Sequence, residues 1–239
     1  METGISSCRA KDTTVIAIDG PAGSGKSTVA RLTAHRLGFF LLDTGALYRA
    51  LALHLMRHGI TDSAGPVDPE VLNSVNLRVE PAVGAMQVFL DGEDVTADIR
   101  SEKVGDAASR YSSRPEVRHT LVGLQRDLGT RWNLVAEGRD MGSVVFPEAK
   151  VKIFLTADLE VRARRRYLEL RDKGERPAFD DVLADMRDRD VRDETRSVSP
   201  LVQAWDATRL DTTDLTPDQV VEQIIQYIKE SCADASPVS

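Results

Sequence analysis

The chain of 239 residues predicts an α/β fold: a P-loop parallel sheet flanked by helices, with a small antiparallel β insert and an arginine-bearing lid. Three observations carry that expectation. An apolar run, Val15 to Ile18, ends in Asp19 and feeds into the glycine-rich stretch GPAGSGKS, which opens a helix. Strand-sized apolar runs then alternate with stretches of helical period. Between about Pro66 and Ile99 the period falls to two, and Asp91-Gly92 supplies the residues of a tight hairpin turn.

The first strand and its loop are the most informative element. Gly20, Gly25, Lys26 and Ser27 match G-x-x-x-x-G-K-[ST], and each residue type answers a demand of a nucleoside triphosphate. Glycines let backbone N–H groups curl around phosphate oxygens. The helix opening near Lys26 aims its unpaired N–H groups and positive dipole end at the same anion. Lys26 adds a mobile charge and Ser27 a hydroxyl for a magnesium ion. An ordinary glycine-rich turn needs none of these, and the motif lies at the strand-to-helix junction where open α/β sheets bind ligands.

The following elements read in order. A helix from about Gly25 to Leu37 stops at Gly38. A second strand, Phe39 to Leu42, ends at Asp43, and a helix with Leu47, Leu51 and Leu55 on its apolar face runs to Gly59. Thr44 is expected to cap that helix, with Arg49 about one and a half turns on, facing the mouth. The antiparallel insert comes next. Asn133 to Ala136 and Val151 to Leu155 read as buried parallel strands. The first of them ends in Glu137-Gly138-Arg139-Asp140, an Arg-Asp pair bracketed by glycines at the ligand edge.

Arginines then dominate. Arg162, Arg164, Arg165 and Arg166 fall in one helix, followed by the polar stretch ELRDKGERPAFDD, expected to be a short exposed excursion. Arg189, Arg192 and Arg196 stand at i, i+3 and i+7, a spacing that stacks them on one helical face. A last strand, Arg209 to Asp211, leads into Thr216-Pro217-Asp218, a cap followed by proline at the first helical position.

Composition limits the function classes. The formal net charge is -7, which disfavours sequence-independent nucleic-acid binding, and 24 of the 31 basic residues are arginine. Arginine's planar fork suits bidentate contacts to phosphate. Cys8 and Cys232 form no metal or redox spacing, which fits a reducing, cytoplasmic compartment. No apolar run approaches the roughly 18 residues of a membrane span. Residues 1–13 read as a disordered lead, 14–232 as one phosphate-loop domain holding an insert at about 66–110 and a lid at about 160–180, and 233–239 as a tail. An oligomer is not excluded, but a monomer is the simpler expectation.

With these pieces in order, the chain resembles bacterial-type cytidylate kinases, members of the nucleoside monophosphate kinase group. The resemblance spans roughly Thr14 to Lys229 and rests on GPAGSGKST, LLDTGALYR, the insert ending in LDGEDVTADIR, EGRDMGSVVFP, VKIFLTA and RDRDVRDETR. It implies transfer of the γ-phosphoryl of ATP to CMP or dCMP, in pyrimidine nucleotide metabolism. It implies that Gly20, Gly23 and Gly25, with Pro21, Ala22 and Ser24 between them, wrap the ATP phosphates together with Lys26, Ser27 and Thr28. Lys26 would steady the migrating group, and Ser27 would bind Mg²⁺. Thr44 and Arg49 would hold CMP. Arg100, Ser109, Arg118, Arg139 and Asp140 would read base and phosphate. Arg162 and Arg165 would act from the lid beside Arg189, while Arg189, Asp193 and Arg196 would engage the acceptor's phosphate and sugar.

The assignment suits cytosine. A carboxylate such as Asp140 can accept from the 4-amino group while Arg118 or Ser109 donates to the ring. Uracil puts O4 against that carboxylate, an unmatched pair costing about 1–3 kcal/mol. Two alternatives remain open at this point. A kinase of a non-nucleotide acceptor has no use for a base-reading insert. A nucleotide-responsive binding protein would carry a partner segment or a large apolar face, and neither is visible.

Overall fold

The structure is a computed structural model that describes residues 13–60 and 66–233. The lead through residue 12, with Cys8 in it, and the tail from residue 234 lie outside the described residues. Five parallel strands form the main sheet: β1 (Val15–Asp19), β2 (Phe40–Asp43), β6 (Leu134–Gly138), β7 (Val151–Thr156) and β8 (Thr208–Asp211). They lie in the order β2-β6-β1-β7-β8. β1 sits between β6 and β7, in register Ala17 to Ala136 on one side and Ala17 to Lys152 on the other.

Apart from the edge strand β8, the strands read as largely apolar runs because both faces are covered. Ile16, Ile18, Val135 and Ile153 pack under α1 (Lys26–Leu37) and α8 (Pro217–Ala233). Ala17, Leu42, Leu134 and Ala136 turn the other way, toward α2 (Thr44–Arg57) and α5 (Pro115–Arg131). Period two thus sorts each strand between two separate cores. At the start of α8, Gln219 N–H donates to the expected cap, Thr216 Oγ1, at 3.3 Å, and Thr216 N–H donates back to Gln219 Oε1 at 2.9 Å.

The insert is a short helix, α3 (Pro69–Asn73), and a three-stranded antiparallel sheet, β3 (Leu77–Ala82), β4 (Ala85–Leu90) and β5 (Glu93–Asp94). Asp91 and Gly92 both have positive φ, 53° and 87°, which makes the β4–β5 turn the tight hairpin expected. Val88, Leu90, Val95 and Ile99 are fully buried and join the core beneath α2. The insert therefore shares its apolar interior with the main body. A 3₁₀ turn at Asp98–Arg100 leads into α4 (Glu102–Tyr111), which packs along α2.

Three local expectations are corrected. The cap of α2 is Asp43, whose Oδ1 accepts from Ala46 N–H at 3.0 Å; the Thr44 hydroxyl instead donates to Glu137 C=O at 2.7 Å. An Asp one residue upstream has the non-helical backbone a cap needs, while Thr44 is already helical. The polar stretch after residue 168 is mostly helix: α6 (Leu159–Asp172) and α7 (Phe179–Thr195) leave only residues 173–178 as loop. Arg189, Arg192 and Arg196 do not stack, because α7 ends at Thr195, Arg196 is extended at φ -61° and ψ 141°, and Arg192 is exposed. No helix among the described residues is long and apolar enough to cross a membrane.

Candidate active site

The carboxyl ends of β1, β2 and β6 open on one cavity of about 730 Å³. The phosphate loop forms its floor, the α4 and α5 side one wall, and α6 with α7 the other. Among the described residues it is lined by Arg49, Arg100, Arg118, Arg139, Arg165, Arg166, Arg189 and Arg196, a cationic wall in an acidic chain. Such a wall is built for ligands carrying several phosphates.

The floor is held from behind. Gly20 has φ +146°, and a Cβ there would lie 2.0 Å from the Leu155 carbonyl oxygen, so the loop starts on glycine because β7 lies against it. Gly25, also at positive φ, caps α1, whose first turn holds no acidic residue that would compete with an anion. Lys26 Nζ donates to Pro21 C=O at 2.6 Å. Thr212 Oγ1 donates to Ser24 C=O at 3.0 Å, and Arg165 braces Thr212 in turn, with Nη2 donating to Thr212 C=O at 2.6 Å. The Ser24 hydroxyl is buried without a partner among the described residues. Gly23, Ser24, Gly25, Ser27 and Thr28 all line the cavity.

The charges of the empty floor are strained in a consistent direction. Burial, and then Arg139, push the Lys26 ammonium down to about 7. Burial and Arg139 likewise lower Arg189 to about 10. In both, burial is the larger cause and neighbouring cations the next, so a bound anion would favour the charged forms. Binding of ATP without metal at alkaline pH is expected to take up protons, measured by calorimetry in buffers of different ionisation enthalpy. The uptake disappears in Lys26→Ala.

On the opposite wall Arg118 and Asp140 form a buried ion pair, and Arg118 Nη1 also donates to Ser112 C=O at 3.2 Å. The guanidinium lies 5.2 Å above the Tyr48 ring. Burial pushes the Tyr48 phenol up to about 12. Ser109 Oγ, Arg118 Nε and Arg196 Nη2 are buried with no partner among the described residues, three polar groups unsatisfied at one end of the cavity. Arg139 does not pair with its neighbour Asp140. Its Nε donates to Asp193 at 2.8 Å, and the Asp193 carboxyl stays below the usual range because Arg139 and Arg189 outweigh its burial.

The remaining predicted residues are placed as follows. Arg49 donates to Ile99 C=O at 3.2 Å, and Gly105 leaves room for its guanidinium. Arg100 pairs with Asp43 at 2.8 Å. Arg162 does not reach the cavity. It lies beneath the phosphate loop, donating to Ala22 C=O at 3.1 Å and pairing with Asp190 at 2.7 Å.

Among the lining residues to which sequence reasoning gave no role are Glu137 and Arg166. Glu137, next to last in β6, lies beside the Ser27 hydroxyl, with its carboxyl raised to about 6 by burial and then by Asp43. An acid closing a buried apolar strand was the available signal. Arg166 pairs with Glu102 across the mouth of the cavity, between α6 and α4, a contact no local pattern announces.

A parallel sheet whose phosphate loop faces a closed ring of arginines defines a P-loop kinase. A solved but uncharacterised protein from Eubacterium ventriosum shares the overall fold, with a TM-score of 0.51 at 14% identity over 91% of this chain and 99% of that one. The family model for cytidylate kinase matches residues 16–230, and the chain belongs to that family. It is 48% identical over 221 residues to a cytidylate kinase of Cupriavidus necator, covering 92% of this chain and 98% of the relative. It is 45% identical over 223 residues to one of Vibrio vulnificus strain YJ016, covering 93% and 98%.

Proposed function

We propose that the protein transfers the γ-phosphoryl group of ATP to CMP or dCMP, giving ADP and CDP or dCDP. The observation that supports this most directly is the pairing, in one cavity, of an anion-binding loop with a buried Arg118–Asp140 pair at the far end. The loop and α1 hold the donor phosphates. Asp140 accepts from the cytosine 4-amino group, while Arg118 and the unpaired Ser109 hydroxyl donate to the ring.

The acceptor phosphate is already an anionic nucleophile, so no strong general base is required. Arg49, Arg100, Arg139 and Arg189 align it with the donor, Asp193 and Arg196 take the sugar and phosphate side, and Lys26 follows the migrating group. Arg165 steadies the loop through Thr212, and Arg162 supports it from below. Residues 66–110 serve as the nucleoside-binding insert and 160–180 as the lid, whose closure excludes water. Thr44 ties the start of α2 to the end of β6, fixing the separation of the two ligand halves.

The Ser27 hydroxyl and the adjacent Glu137 carboxylate fit a hard divalent cation, which takes one or two protein oxygens and fills its shell with phosphate and water. Mg²⁺ held there would neutralise charge on the β- and γ-phosphates. In this reading the protein works as a monomer. The same reading places it in the cytoplasm.

The test is ADP formation with ATP, Mg²⁺ and each of CMP, dCMP, UMP, AMP, GMP and shikimate. Rapid turnover is expected with CMP and dCMP, at least tenfold above any other acceptor. No turnover with CMP would overturn the proposal.

A further inference from the structure

We infer that Asp19 is a positioning residue for nucleobase recognition: by capping, from β1, the turn that follows β6, it releases the Asp140 side chain to pair with Arg118. The inference rests on the proposed reading of that pair as the base reader. Asp19 is buried, lies outside the cavity lining and plays no part in the mechanism above.

Asp140 occupies the cap position of a single wide turn, Met141–Val145. Its backbone acts as a cap, because its carbonyl accepts from Val144 N–H at 2.9 Å and Val145 N–H at 3.0 Å. Its side chain does not. Aspartate at such a position ordinarily turns its carboxylate onto the next free N–H groups. Here the first two of those groups are already taken: Met141 N–H donates to Asp19 Oδ1 and Gly142 N–H to Asp19 Oδ2, each at 2.8 Å.

The substitution of one acid for another has a physical reason. Two N–H groups in a buried turn must be paired, and with Asp19 removed the carboxylate of Asp140, at the cap position of that same turn, is placed to take them. Turned onto the turn, the Asp140 carboxylate would lose its present aim at Arg118. A Cβ at residue 142 would crowd Lys152 Cδ at 3.1 Å and make only an ordinary contact, 3.5 Å, with Asp19 Oδ2. Asp19 directly precedes Gly20, yet it makes no hydrogen bond to the phosphate loop; the Lys26 ammonium goes to Pro21 C=O instead. Its contacts point to the base-reading end.

Asp19→Asn keeps the shape and loses one acceptor, and steady-state kinetics with CMP and UMP read the consequence. KM for CMP is expected to rise about tenfold and the CMP-over-UMP ratio of kcat/KM to fall about tenfold, with kcat and KM for ATP within twofold. An unmoved CMP KM and ratio, or a raised ATP KM alone, would overturn the inference. Amide hydrogen exchange on the wild-type protein tests the cap without any variant. Slow exchange at Met141 and Gly142 is expected, and fast exchange there would overturn it. Wild-type protein inactive on CMP but slow at both amides would overturn the proposed function, and with it the recognition role, while leaving the cap standing.

Discussion

Lys26→Ala is expected to lower kcat by about 10²–10³-fold while changing KM for CMP by less than threefold. The ammonium is buried at the floor and held by Pro21 C=O at 2.6 Å, away from the base-reading wall. Charge on the transferring phosphoryl is greatest in the transition state, so the loss falls on kcat. Burial and Arg139 already disfavour the charged form in the empty enzyme, so the variant is expected to stay folded. Initial rates at saturating ATP, with CMP affinity measured separately by calorimetry, distinguish the outcomes. An unchanged kcat would remove Lys26 from the chemistry, and a loss confined to KM would make it a ground-state contact.

Asp140→Asn is expected to act on selectivity and stability together. The CMP-over-UMP ratio of kcat/KM should fall about ten- to hundredfold, because the amide can turn its NH₂ toward uracil O4. Arg118 is left charged in a site where both partners are nearly inaccessible, and unfolding free energy should drop by about 3 kcal/mol. Denaturant titration separates the two effects. The double replacement Arg118→Met with Asp140→Leu removes both charges, and it is expected to recover most of the stability and none of the selectivity. An Asp140→Asn enzyme with an intact CMP preference would put base reading elsewhere in the cavity.

The parts of the fold that were legible in the sequence are those written in contiguous residues. The phosphate loop needs positive φ at Gly20, Gly23 and Gly25, and glycine adopts it without strain. The hairpin at Asp91-Gly92 is a two-residue decision. Four of the five parallel strands are short apolar runs, each closed by a turn or a charge. Of the site, the loop, Arg139, Asp140 and the arginine-rich helices could be picked out because they end strands or repeat at helical spacing.

What was misread or missed has a common origin. Thr44 and Asp43 are both good caps, and which of them caps depends on Glu137 C=O reaching the Thr44 hydroxyl from a strand far along the chain. Arg139-Asp140 looks like an ion pair in one dimension, but the strand end sends the two side chains to Asp193 and Arg118. Arg162 reads as one more lid arginine, yet packing places it under the loop with Asp190.

The sequence by itself therefore determined most of the backbone: the order of strands and helices, the tight turns, and the phosphate-loop motif at the end of β1. Only the tertiary structure decided the pairing of charges. Which carboxylate meets which arginine is set by elements from distant parts of the chain packing side by side, and by burial that makes each unpaired charge costly. Asp19 and the turn it caps, 122 residues apart, are such a case.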